Sequence, residues 1–357
     1  MKKFLIYFLG FAIVFFIAPA ICTVTPSKTR EVIAAENNQE ENDAEVQEAE
    51  QLQENENTNQ EQGDNTNQQS GNISKTIKLL HSETGQIEEL NLDEYLYGVV
   101  SSEMPASFEV EALKAQAVVA RTYTIYQTTY NSSKHENADI CDNYACCQAW
   151  ISKEDRFAKW SVEEAENNWN KIVEAVNSTS GKIITYNGEP INAFFHSNSG
   201  GVTESSVNIW GGIDYPYLKS VETAGEEGYT QYSSQVQFSK QDLLNKIKEK
   251  YPDCEIDFSQ QNCIQILEYT TSGRVKTIKF GNKEIAGTEA RSILGLKSTN
   301  FTFSIDGDTV IFSVTGYGHG IGMSQTGADA LAKSGANYEE IIKHFYTNVE
   351  IIELNSL

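Results

Sequence analysis

The chain has 357 residues with 39% apolar content, enough for one large domain or two modest ones. Its formal net charge is −23. That acidity weighs against nucleic acid as a partner, and against any grip of the body on anionic lipid.

In chain order, Met1-Lys2-Lys3 comes first, followed by an apolar run from Phe4 to Cys22. Such a run is long enough to span a bilayer, and the two lysines would hold the N-terminus inside. A cleaved signal peptide is the competing reading. The small-x-small candidate Ala18-Pro19-Ala20 lies inside the run rather than after it. An uncleaved transmembrane anchor over residues 1–30 is therefore expected, with the body outside. From Glu31 to Asp64 there are 12 acidic residues and no Lys or Arg. With no apolar periodicity this stretch cannot offset its ordering entropy, so 31–73 reads as a disordered linker. The first 73 residues carry −8, which leaves −15 on the body, 74–357.

The body opens with two strands, Thr76 to Leu80 and Ile87 to Leu92, around a turn at Glu83-Thr84-Gly85. A largely apolar stretch leads to Glu103-Met104-Pro105, and Glu109 to Tyr126 has helical spacing. The residue before proline avoids helix, which places Glu103-Met104 at the entry to that helix. A second amphipathic helix is predicted from Ser161 to Ser178, stopped by Gly181. Lys182 to Tyr186 and Ile191 to Phe195 flank Asn187-Gly188, the preferred tight turn, and predict a hairpin. A helix at Ser239 to Lys250 precedes strands at Ile264 to Thr270, Arg274 to Phe280 and Thr309 to Thr315. Helices at Thr326 to Lys333 and Asn337 to Phe345 close the chain. Long helices alternating with hairpins favour an α+β fold over a doubly wound one.

Four groups carry candidate chemistry. Glu103, at an element boundary with apolar and aromatic neighbours, has the setting of a general acid with a raised pKa. His135, Cys141, Cys146 and Cys147 lie within thirteen positions. They fit a zinc site or, equally, a disulfide with a spare thiol; four protein ligands would make the zinc structural. Cys254 and Cys263 are a possible disulfide pair or free thiols. His196-Ser197-Asn198-Ser199-Gly200-Gly201 and Tyr317-Gly318-His319-Gly320-Ile321-Gly322-Met323-Ser324-Gln325 are small, polar and glycine-rich. Their glycines suit a cleft wall that lets a polymer approach the backbone. The second motif lacks the Lys-Ser/Thr of a P-loop and the βαβ setting of a dinucleotide site. A serine-hydrolase triad is set aside for want of Gly-x-Ser-x-Gly. Cys147 as a nucleophile conflicts with its role as a ligand.

Those two motifs, together with Asp93-Glu94-Tyr95-Leu96-Tyr97-Gly98-Val99-Val100, Glu103-Met104-Pro105 and Glu111 to Tyr123, resemble the stage II sporulation protein D family, which also includes amidase enhancers. The resemblance runs from about Thr76 to Ile352. It implies lytic transglycosylation of peptidoglycan, on strands stripped of stem peptides by an amidase, stage II sporulation protein P. A membrane partner, stage II sporulation protein M, and a place in the engulfing mother-cell membrane are implied as well. It places the catalytic acid at Glu103 and makes Lys114, Arg121, Ser197, Ser199, His319, Ser324 and Gln325 substrate-binding residues. The clostridial branch carries zinc on a His, a Cys and an adjacent His-Cys pair. Here His135, Cys141 and Cys147 match, and Cys146 stands where that branch has His; cysteine is an equally good ligand. Two alternatives remain: a non-catalytic wall-binding amidase enhancer, and an inverting muramidase with a second carboxylate from Asp93, Glu94, Glu204 or Asp214.

Overall fold

The computed structural model describes residues 75–211 and 214–356. The expected anchor and acidic linker lie outside the described residues. Among those residues no helix is long and apolar enough to cross a membrane.

The first hairpin forms as the pattern predicts. Strand β1 (Thr76–Leu80) pairs antiparallel with β2 (Ile87–Asn91), in register from Thr76 opposite Asn91 to Leu80 opposite Ile87. The apolar stretch that follows is a helix in its own right, α1 (Leu92–Glu103). Asn91 caps it: its side chain accepts from the Asp93 N–H at 2.9 Å, and Glu94 reaches back to the Asn91 N–H at 3.4 Å. Glu103 is therefore the last residue of α1, not the entry to the next helix. Met104 is extended (φ −124°, ψ 141°), as a residue preceding Pro105 must be.

Helix α2 (Val110–Tyr130) is the central post of the fold. It is buried on nearly every side, against α1, α4 (Val162–Asn177), α8 (Gln325–Lys333) and α9 (Tyr338–Phe345). Between α2 and α4 the chain adds a short parallel strand to β1, β3 (Ile140–Cys141), and a surface helix, α3 (Lys153–Lys159). Strand β4 (Lys182–Tyr186) turns at Asn187-Gly188, both with positive φ (53° and 86°), into β5 (Glu189–Pro190). The returning strand is shorter than predicted. The Ile191 N–H still reaches the Ile184 carbonyl at 3.2 Å, but the Ile184 N–H donates to the Thr122 hydroxyl at 2.9 Å, so the ladder ends there and the Ile191 to Phe195 strand does not form. Only Phe195 returns to a sheet, in β6 (Phe195–His196), parallel to β13 (Met323–Ser324). A one-turn helix, α5 (Ser206–Trp210), follows β6, and β14 (Glu350–Glu353) completes the β4 sheet.

A second hydrophobic cluster is built from residues 233–315. Strand β7 (Ser233–Ser239) runs into α6 (Lys240–Lys250), whose N-cap is Ser239. A meander of β8 (Ile264–Tyr269), β9 (Val275–Phe280) and β10 (Lys283–Ala286) leads to α7 (Gly287–Leu294), then to β11 (Phe301–Asp306) and β12 (Thr309–Thr315). The sheets are antiparallel, ordered β10-β9-β8 and β11-β12-β7. Ile278, Phe280, Val310 and Phe312 lie at its centre. The excursion leaves and rejoins the chain at one point, where the Gly316 N–H donates to the Tyr232 carbonyl at 2.7 Å. Mixed helices and antiparallel sheets make the fold α+β. Cys254 and Cys263 are buried free thiols.

Candidate active site

The two glycine-rich motifs and the end of α1 meet at one cleft, about 640 Å³ when counted out to its solvent mouth. Its wall includes Glu103, Tyr123, Tyr144, Cys147, Gln148, Phe194, Ser197, Tyr317, His319 and Gln325. Several aromatic rings on a polar floor suit the CH-rich faces and hydroxyls of a sugar chain. Glu103 is the one carboxylate among the lining residues.

Glu103 accepts two hydrogen bonds, from the Ala149 N–H at 2.7 Å and from the Gln325 side-chain amide at 3.4 Å. Burial pushes its carboxyl up to about 7, against the pull of those two donors toward the anion. Its place at the C-terminal end of α1 acts in the same direction as burial, because the exposed carbonyls there disfavour a negative charge. At neutral pH the group is thus poised between donating and accepting a proton.

Close backbone contact explains the alternating glycines. A Cβ on Gly318 (φ 108°) would lie 2.8 Å from the His196 Cβ, and one on Gly320 (φ 86°) 2.6 Å from the Arg274 guanidinium. Arg274 comes from the turn between β8 and β9 and donates to the Ser199 carbonyl at 2.7 Å. Burial, with the charges of His319 and Arg274 nearby, holds His196 neutral, well below the usual histidine range. The His319 Nδ1 accepts the Ile321 N–H at 2.9 Å, which puts the ring proton of the neutral form on Nε2.

The residues assigned by resemblance divide into two groups. Glu103, Ser197, His319 and Gln325 line the cleft. Arg121 is fully buried; it pairs with Asp93 at 2.9 Å and donates to the Thr179 carbonyl at 2.8 Å, pinning the end of α4. Lys114 pairs with Glu111 at 2.7 Å, one turn away on α2. Ser199 and Ser324 are buried and bond to a carboxylate that the sequence did not single out, Glu226. The carboxylates considered as partners for Glu103 are engaged elsewhere. Asp93 holds Arg121, Glu94 caps α1, and Asp214 pairs with Lys219 at 2.5 Å. Glu204 is buried and accepts from the Ser205 N–H and Asn208, both at 2.7 Å, and from Thr270 and Ser272.

His135, Cys141, Cys146 and Cys147 converge, with one ligand atom from each all within 4.8 Å of one another. The His135 Nε2 is 3.2 Å from the Cys147 Sγ and 3.7 Å from the Cys146 Sγ. Tetrahedral zinc, with bonds of about 2.0–2.3 Å, places its ligand atoms roughly 3.5–3.8 Å apart, so one imidazole and three thiols fit such an ion. The three cysteines are free of disulfides. The cluster adjoins the acid: Cys147 lines the cleft, and Ala149, two residues on, donates to Glu103.

The sequence that builds this cleft has counterparts among known proteins. The family model for the stage II sporulation protein matches residues 80–186. Stage II sporulation protein D of Bacillus amyloliquefaciens is 35% identical over 79% of this chain and 80% of its own length. The Bacillus subtilis protein of the same name is likewise 35% identical over 79% of the chain. The amidase enhancer of Bacillus subtilis is 32% identical over 70% of this chain, but over only 39% of its own length. The chain belongs to the stage II sporulation protein D family.

Proposed function

We propose that this protein is a peptidoglycan lytic transglycosylase that remodels the wall during sporulation. The observation that carries the reading is Glu103: a lone, partly dry carboxyl, raised to about 7, on the wall of an open cleft. Hydrolysis of a glycosidic bond ordinarily uses two carboxylates flanking it. A lytic transglycosylase needs one, because the attacking hydroxyl belongs to the substrate. Glu103, protonated, gives its proton to the glycosidic oxygen as the MurNAc–GlcNAc bond breaks. It then takes the proton of the MurNAc C6 hydroxyl as that oxygen attacks C1, closing a 1,6-anhydro ring. The Ala149 N–H and the Gln325 amide hold the carboxylate in place between the two transfers.

A zinc ion on His135, Cys141, Cys146 and Cys147 would take no part in the reaction. With four protein ligands it would have no open position, and its contribution would be to cross-link the segment that carries Tyr144 and Ala149. The apolar N-terminal run supports a membrane anchor with the domain outside, in the engulfing membrane. The family resemblance supports stage II sporulation proteins P and M as partners, the first supplying peptide-free strands. The relative named amidase enhancer favours a second reading, in which the cleft binds glycan and stimulates an amidase without cutting.

The test is mass spectrometry of peptide-free glycan strands incubated with wild type and with Glu103→Gln. Anhydro-ended fragments from wild type alone are expected, with a loss in Glu103→Gln of about 1,000-fold or more. Reducing-end fragments would point to hydrolysis. Intact strands, bound equally by both proteins, would leave the amidase-enhancer reading.

A further inference from the structure

We propose that Glu226 is a positioning residue for the cleft, and that Ser199 and Ser324 serve the site through it rather than by touching the glycan. The inference rests on the cleft being the glycan site. Glu226 is fully buried, and neither it nor Ser199 nor Ser324 is among the residues that line the cleft. Its Oε1 accepts from the Ser199 N–H at 3.1 Å, from the Thr326 hydroxyl at 2.9 Å and from the Ser324 hydroxyl. Its Oε2 accepts from the Gly201 N–H at 3.0 Å, from the Thr223 hydroxyl at 2.9 Å and from the Ser199 hydroxyl. One carboxylate thus joins both glycine-rich motifs to its own loop. Burial alone would raise its pKa, but the donors, with the Ser199 and Ser324 hydroxyls foremost, outweigh it and hold the group below the usual carboxylate value.

Hydroxyl arithmetic separates this role from substrate binding. Each serine has one proton to donate. Ser324 commits its proton to Glu226, and its oxygen accepts the Gly327 N–H at 3.2 Å as the N-cap of α8. Ser199 commits its proton to Glu226, and its oxygen accepts the Gly201 N–H at 3.2 Å and packs against the Thr223 hydroxyl. Both hydroxyls are spent inside the protein. Ser324 and Thr326 flank Gln325, so the clamp on them fixes the backbone from which Gln325 reaches Glu103. A negative charge beside the N-terminal turn of α8 is also favoured by the helix dipole.

The experiment is a set of double-mutant cycles on the full chain, reading the kcat and KM of strand cleavage for Ser199→Ala, Ser324→Ala and Glu226→Gln, singly and in pairs with Glu226→Gln. Each single variant should lower kcat by about 10-fold or more with KM held within about 3-fold, and each pair should be no more than about 2-fold worse than its poorer member. Losses that multiply, or serine variants that act through KM, would overturn the inference. Glu226→Asp keeps the charge; it should retain more activity than Glu226→Gln, and it replaces that variant in the cycles if Glu226→Gln does not fold. Amide hydrogen exchange gives a readout that needs no cleavage. Residues 196–201 and 323–327 should lose protection together in the Glu226 variant, and unchanged protection would sink the proposal. A wild type that cuts nothing would count against the enzyme reading alone and leave this one to the exchange data.

Discussion

Glu103 shows how position sets chemistry at the scale of one residue. A glutamate at the surface is ionised at neutral pH; this one is held to about 7 by burial. The proposed acid step needs the proton, so on that reading cleavage should fall as pH rises above about 7. Gln325 donates to the carboxylate and so favours the anion. Gln325→Ala removes that donor and raises the carboxyl further. The alkaline limb of kcat/KM should then move to higher pH by about 0.5–1 unit, a shift readable from a pH series against wild type. The same scale shows what a sequence conceals. Glu103 stands out because Met104-Pro105 marks a boundary. Glu226 sits in a polar, aperiodic loop beside Glu227, and nothing in the order of residues distinguishes the buried carboxylate from its exposed neighbour. Arg121 and Lys114 belong to the signature stretch, yet their contacts are an ion pair under α4 and a half-buried pair along α2.

Elements with one wet face were legible. The first hairpin, the Asn187-Gly188 turn, α4 and α6 follow from periods of two and 3.6 residues. Helix α1 was not, because it is buried on most of its circumference and shows no polar stripe to reveal its period. Its packing explains a glycine in mid-helix. A Cβ on Gly98 would fall 2.1 Å from the Trp150 Nε1. Alanine improves helix propensity by about 1 kcal/mol, but overpacking costs about 1–3 kcal/mol. At 2.1 Å the indole or α1 itself must shift, and the clash should win. Gly98→Ala should lower stability by about 1–2 kcal/mol in urea unfolding, and displace Ala149, the neighbour of Trp150, enough to reduce cleavage.

At the scale of the molecule, the cysteine cluster was legible as four ligands in one loop, but its place beside the acid was not, since α1 and the loop are brought together only by folding. If an ion closes that loop, a chelator that strips it should loosen the cleft without touching the reacting atoms. Elemental analysis should find about one zinc per chain. Removal should lower the melting temperature, speed hydrogen exchange over residues 135–149 and cut activity, and zinc should restore all three. A metal-free chain that is equally stable and active would set the cross-link aside.

The excursion of residues 233–315, which leaves and returns at Tyr232 and Gly316, has a consequence for how the family can vary. A segment with neighbouring ends is a cassette: evolution can lengthen, trim or replace it without disturbing the host's chain path. This cassette is not free cargo, because its β8–β9 turn sends Thr270, Ser272 and Arg274 back to Glu204 and the Ser199 carbonyl, behind the cleft. The β11–β12 turn carries no such contact to the cleft loops, and Gly307 there has open space around it. Insertions should therefore accumulate at residues 306–309 across relatives, while the length of 270–274 stays fixed. The cassette's tether to its host would be inherited as two short segments, the β8–β9 turn and Lys297, whose carbonyl accepts the Gly318 N–H at 2.8 Å.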